Sequence, residues 1–213
     1  MTADLEQAVA AQPRRALRGR YWHQGPTQRP FEDLFDPART NGRYHALGGV
    51  GVWYASSQEQ VAWAELFRHF LDVGVDPFEV RRRVGHTDVD GLQVLDLTDA
   101  SVLAALGVAE VDLIGDDYAV TRRIAEVAAS AGFEGILAPS AALAGHTTLV
   151  VFPAGMHAAQ PGISRVRQPP PRMADLLVAI RAHPDVPGSV QGLLRTLAAK
   201  GSEAIRHARR RGS

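Results

Sequence analysis

The chain contains no cysteine. That absence removes disulfides, thiolate-held metals and a cysteine nucleophile, and it suits a reducing compartment. No run of about eighteen apolar residues occurs, so no membrane-spanning helix is expected. Residues 1–20 are polar and alanine-rich and lack the continuous apolar core of a signal peptide, so a cytoplasmic location is expected. There is no Gly-x-Gly-x-x-Gly after a strand, no phosphate loop ending in Gly-Lys-Ser/Thr, and no His-Glu-x-x-His. The eight histidines are scattered rather than set at ligand spacing with acids, so no metal site is expected. Ser140 stands in Ala-Pro-Ser-Ala-Ala and not in a nucleophile elbow, which leaves a serine hydrolase unsupported. The formal net charge is zero, which argues against dedicated nucleic-acid binding.

What is present is a globular composition, 46% hydrophobic and 22% charged over 213 residues. That length buries a real core and favours one domain with appendages. Residues 1–16 have little apolar periodicity and are expected to be disordered or loosely helical. Pro26, Pro30 and Pro37 break the stretch from Arg20 to Arg43, which reads as irregular. Gly48, Gly49 and Gly51 mark a turn into a strand over 50–55, and Ser56 or Ser57 caps a helix with Glu59 in its first turn. Trp63, Leu66, Phe67 and Phe70 form the apolar stripe of that helix, and Glu65 projects away from it.

Downstream, residues 92–97 read as a strand and Thr98 as the cap of a short helix ending at Gly107. A firmer helix covers 117–131 and stops at Gly132; strands at 133–138 and 147–152 flank the loop carrying Ser140. Gln168-Pro-Pro-Pro-Arg begins a stiff linker that runs with a short helix to about 187. Residues 188–213 carry Arg195, Lys200, Arg206, Arg209, Arg210 and Arg211 against Glu203 alone, a basic helical tail. Its plain reading is a solvated helix, and the alternative is an arm for nucleic acid, an anionic surface or a partner. The order of elements predicts an α/β (mixed α+β) fold, a central mixed sheet surrounded by helices, with residues 17–167 as the catalytic domain.

The stretch that stands out is Gly42-Arg43-Tyr44-His45, then Trp53-Tyr54-Ala55-Ser56, then Ala62-Trp63-Ala64-Glu65-Leu66, preceded by Arg20-Tyr21 and followed far downstream by Pro139-Ser140 and Leu149-Val150-Val151-Phe152. In order and spacing it resembles the RES domain family, named for an arginine, a glutamate and a serine. Arg20, Glu65 and Ser140 occupy those places, Gly42-Arg43-Tyr44 resembles the Gly-Arg-aromatic element, and Tyr54 the strand-end tyrosine. His45 stands where the family usually has asparagine, and Gly145-His146-Thr147-Thr148 replaces a segment that often contains one.

The resemblance implies a fold related to ADP-ribosyltransferases and a toxin of a toxin–antitoxin system that cleaves the nicotinamide–ribose bond of NAD+, by hydrolysis or phosphorolysis. NAD+ is then a substrate, no cofactor is needed, and inorganic phosphate is the second substrate of the phosphorolytic variant. The implied partner is a helix-turn-helix, Xre-like antitoxin. Arg20, Tyr54, Glu65 and Ser140 are the implied catalytic residues, with Arg43, Tyr21 and His45 binding NAD+. The chemistry suits these types. Guanidinium groups bind phosphates bidentately. A carboxylate stabilises an oxocarbenium-like ribose, or holds its hydroxyls. A flat aromatic suits a cationic pyridinium. The competing readings are an ADP-ribosyltransferase acting on a macromolecule and an inactive RES-like binding module.

Overall fold

The computed structural model describes residues 2–30, 40–72 and 80–167. The Pro-rich linker and the basic tail expected at 168–213 lie outside the described residues. Six strands form one mixed sheet: β1 (Arg15–Pro26), β2 (Trp53–Ser56), β3 (Arg82–Asp96), β4 (Gly135–Pro139), β5 (Thr147–Val151) and β6 (Ala159–Arg167). Around it lie α1 (Thr2–Ala10), α2 (Glu59–Asp72), α3 (Ala100–Leu106), α4 (Glu110–Ile114) and α5 (Ala119–Ser130), with a 3₁₀ turn over Pro153–Ala158. The expected α/β class is the observed one.

Neighbouring strands run β1-β2-β5-β4-β3-β6, and β1 also pairs with β3, so the first five close into a ring. All pairings are antiparallel except β3–β4, where the chain leaves the sheet through α3, α4 and α5 before returning. A parallel pair requires such a crossover. The ring has two apolar faces. Inside it Leu17, Tyr21, Trp53, Val94, Leu137 and Leu149 pack together. Outside, Val52, Ile136 and Val150 pack against Val9, Leu113, Ile124 and Val127 of the helices. Burying an apolar sheet face on each side is what stabilises such a layered domain.

Three expectations change. Residues 20–26 are strand rather than irregular chain, because Pro26 lies at the end of β1 and nothing before it breaks the ladder to β3. β3 begins ten residues before the strand expected at 92, since exposed Asp88 and Asp90 alternate with buried Thr87 and Val89. Mixed composition hides that alternation from a hydrophobicity reading. The cap of α3 is Asp99, which accepts from Ser101 N–H; Thr98 cannot serve, because Asp96 Oδ1 already takes its N–H at 2.9 Å and its hydroxyl at 2.5 Å. The N-terminal stretch forms α1, whose Val9 is fully buried and whose Glu6 pairs with Arg123 of α5 at 2.6 Å.

One glycine is fixed by close approach. A Cβ on Gly135 would lie 2.4 Å from the carbonyl oxygen of Val150 inside the β4–β5 ladder. Gly135→Ala is therefore expected to cost about 1–3 kcal/mol, the usual penalty of overpacking. Urea denaturation checks this; an unchanged midpoint would contradict the fit.

Candidate functional site

Glu65 is placed by the middle of α2, whose Trp63, Ala64 and Phe67 are fully buried. Its Oε1 accepts from Ser140 Oγ at 2.6 Å and from Thr148 Oγ1 at 3.2 Å. Ser140 follows β4 directly and is 2% exposed. Its own oxygen accepts from Ala142 N–H at 3.2 Å and Leu143 N–H at 3.1 Å. A hydroxyl has one proton and two lone pairs. With both lone pairs engaged, the proton of Ser140 points at Glu65. Ser140 thus holds the Glu65 carboxylate. The second glutamate oxygen, Oε2, accepts from no described residue, and Glu65 keeps part of its surface exposed.

Arg68, one turn along α2 from Glu65, is buried. It donates through Nη1 to the carbonyl of Ala141 and through Nη2 to Asp116 at 2.7 Å. It ties the Glu65 helix to the Ser140 loop and to the segment between α4 and α5. Thr148 sits on β5 opposite Ser56 and Ala138. Neither Arg68 nor Thr148 was among the expected site residues. The i, i+3 spacing of Glu65 and Arg68 is the signal that could have found the arginine.

The other expected residues acquire protein partners. Tyr54 Oη accepts from Tyr44 N–H at 3.0 Å and shares a hydrogen bond with His45 Nδ1 at 3.0 Å. It thereby pins the 42–45 turn onto β2 by its hydroxyl, a different task from ring stacking. A Cβ on Gly42 would lie 2.5 Å from the His45 ring, which explains the glycine before Arg43. Arg43 Nη1 donates to the carbonyls of Leu113 at 2.8 Å and Gly115 at 2.5 Å, and its guanidinium lies 4.6 Å from the centre of the Tyr118 ring. It caps the end of α4, where free carbonyls favour a cation. Arg20 forms a two-pronged pair with Asp88 at 2.9 and 3.3 Å on the exposed β1–β3 ladder. Tyr21 points into the ring interior, where burial raises its pKa. The structure thus gathers Glu65 and Ser140 directly. It sets Tyr54, His45 and Arg43 in a second, interlocked network and leaves Arg20 and Tyr21 outside both.

Two histidines are held neutral. Burial lowers His45 to about 4, with nearby Arg122 acting in the same direction. Burial also lowers His23 to about 4, against the opposing hydrogen bond it donates through Nδ1 to the Tyr54 carbonyl. In the unfolded chain both take a proton near the ordinary pKa of about 6.5. Their contribution to stability is therefore complete above that pH and is lost as pH falls from about 6.5 to about 4. The unfolding free energy is expected to drop by about 2 kcal/mol or more across that window, and His45→Gln to flatten part of the slope. Urea titrations at stepped pH check it; a flat profile from pH 7 to 4.5 would contradict it.

The family model of the RES domain matches residues 12–173. The chain belongs to the RES domain family. A protein of Mycobacterium tuberculosis strain H37Rv named "Probable NAD(+) phosphorylase" is 58% identical over 206 residues, covering 97% of this chain and 99% of that protein. The crystal structure of the M. tuberculosis MbcT–MbcA toxin–antitoxin complex contains a chain of the same fold, with a TM-score of 0.70 and 22% identity over 83% of this chain and 97% of that one. The Glu65–Ser140 contact joins two of the three residue types for which the RES family is named.

Proposed function

We propose that this RES domain is the toxin of a toxin–antitoxin pair and degrades NAD+ by phosphorolysis of the nicotinamide–ribose bond. The observation that carries the reading is the Glu65 carboxylate, held through one oxygen by Ser140 and Thr148 while the other accepts from no described residue. The near full-length relative named an NAD(+) phosphorylase supports phosphate over water. NAD+ is the substrate, and the reaction calls for no cofactor.

The chemistry asks little of the protein beyond electrostatics. The C1′–N bond breaks and its electron pair passes to the pyridinium nitrogen, so nicotinamide leaves as a neutral ring without a general acid. Positive charge builds on the ribose as in glycoside cleavage. Glu65 Oε2 faces that charge or the ribose hydroxyls beside it, and Ser140 and Thr148 fix its direction in advance. A phosphate oxygen then bonds to C1′, giving ADP-ribose 1″-phosphate. No proton need pass through the carboxylate.

The test is incubation of purified protein with NAD+, with and without inorganic phosphate, and product identification by mass spectrometry. Phosphate-dependent ADP-ribose 1″-phosphate is expected. Free ADP-ribose regardless of phosphate would replace phosphorolysis by hydrolysis, label appearing on a macromolecule would mean transfer, and intact NAD+ would overturn the reading. The antitoxin expected as partner is a small helix-turn-helix protein, and the NAD+ pool attacked is the cytoplasmic one. Growth arrest on expression, relieved by a neighbouring gene product, tests that side.

A further inference from the structure

We propose that Trp22 and His86 form a stacking platform for a planar base of the dinucleotide, on the same sheet face that carries the Glu65 anchor. The proposal rests on NAD+ being the substrate. Its basis is strand register. Trp22 of β1 lies opposite His86 of β3 and opposite Ser56 of β2, and Ser56 lies opposite Thr148 of β5. Residues directly opposite one another across a ladder project to the same face. His86, Trp22, Ser56 and Thr148 are therefore one row across four strands, and Thr148 is a residue that holds Glu65. Two strand spacings separate the backbones of Trp22 and Thr148, about 10 Å. That separation lies within the span of a dinucleotide, which carries one base beside the cleaved bond and the other beyond its two phosphates.

Alternation gives the second argument. Tyr21 points into the ring with Leu17, Trp53 and Leu149, so its neighbour Trp22 must point out of it. Trp53 and Trp63 are 2% and 1% exposed, whereas Trp22 keeps part of its surface exposed. Its ring meets His86 at 5.4 Å with planes tilted by 60°, an edge-on contact that leaves an indole face uncovered by that partner. Its indole N–H donates to no described residue. Gln24 and Arg20 flank it on the same face and supply polar groups at the margin. A partly exposed tryptophan beside a polar rim is the usual equipment for holding a base by its π-face.

The experiment compares Trp22→Phe, Trp22→Leu and His86→Ala in full-length protein, with NAD+ and with nicotinamide mononucleotide as substrates. Phe keeps a ring and Leu keeps apolar bulk without one, so a packing role and a stacking role separate. Stacking predicts a KM for NAD+ that rises from wild type to Phe to Leu, reaching about 5–100-fold in Leu, with kcat changed much less. His86→Ala should raise KM in the same direction. If the rise is absent with nicotinamide mononucleotide, the platform takes the adenine; if it persists, it takes the nicotinamide. A KM for NAD+ within twofold of wild type in Trp22→Leu would overturn the platform while leaving the activity untouched. Absence of wild-type turnover would instead count against the activity. Quenching of tryptophan emission by NAD+, lost in Trp22→Phe, would then still support the platform, and no quenching would sink it.

Discussion

Glu65→Gln is expected to lower NAD+ cleavage by about a hundred- to a thousandfold with no loss of fold. The substitution is nearly isosteric. Its amide oxygen still accepts from Ser140 and Thr148, so the helix, the loop and the strand keep their contacts. What disappears is the negative charge that the proposed mechanism directs at the ribose. Were Glu65 only a structural acceptor, Gln would serve equally well, so the variant separates the two roles. Ser140→Ala is the complementary case. It keeps the charge, removes one anchor of Oε1, and leaves the N–H groups of Ala142 and Leu143 without their acceptor. An unsatisfied buried polar group costs about 1–3 kcal/mol, so this variant should lose stability as well as rate. Steady-state nicotinamide release together with thermal melts distinguishes them. Wild-type turnover in Glu65→Gln would end the proposed mechanism.

The resemblance to the RES family singled out Glu65 and Ser140, which the residues alone would leave as a helical glutamate and a loop serine, and the structure sets the two in contact. Sequence reasoning reached the apolar stripe of α2, since Trp63, Leu66 and Phe67 are indeed buried. It did not reach the partners of Arg20 and Arg43. An arginine's role depends on which carbonyls or acids lie opposite it, and Leu113 and Gly115 stand some seventy residues from Arg43. Tyr21 illustrates a finer limit. Without β1 recognised as a strand, nothing said which of Tyr21 and Trp22 faces inward, and a one-residue alternation decides which of them meets solvent. The polar half of β3 was missed for the same reason, as its outward Asp88 and Asp90 exist to pair with Arg20 and Arg18 of β1. The helix stripe is local information; ladder pairing is not.

Removing the head group of Arg68 should destabilise this domain substantially, because the guanidinium ties three segments together. The side chain is 5% exposed, yet its partner Asp116 is 53% exposed, so the pair is buried from one side only. Arg68→Met retains most of the aliphatic stem and deletes the guanidinium. The carbonyl of Ala141 then loses its donor in a place where Ala141 and Ala142 are shielded from water, and the link from α2 to the α4–α5 segment is cut. Asp116, lying toward solvent, can rehydrate, which keeps the cost below that of a fully buried pair broken on one side, about 3–5 kcal/mol. A loss of about 2–3 kcal/mol is expected, or roughly 4–12 °C in melting temperature for a chain of this size. Activity should fall as well, because the carbonyl released belongs to the residue after Ser140, and the loop that aims the serine proton at Glu65 then loses its tie to Arg68. Phosphate-dependent nicotinamide release measured well below the melting transition separates that effect from unfolding. A variant that melts earlier yet turns over NAD+ at the wild-type rate would show that Arg68 supports the fold alone.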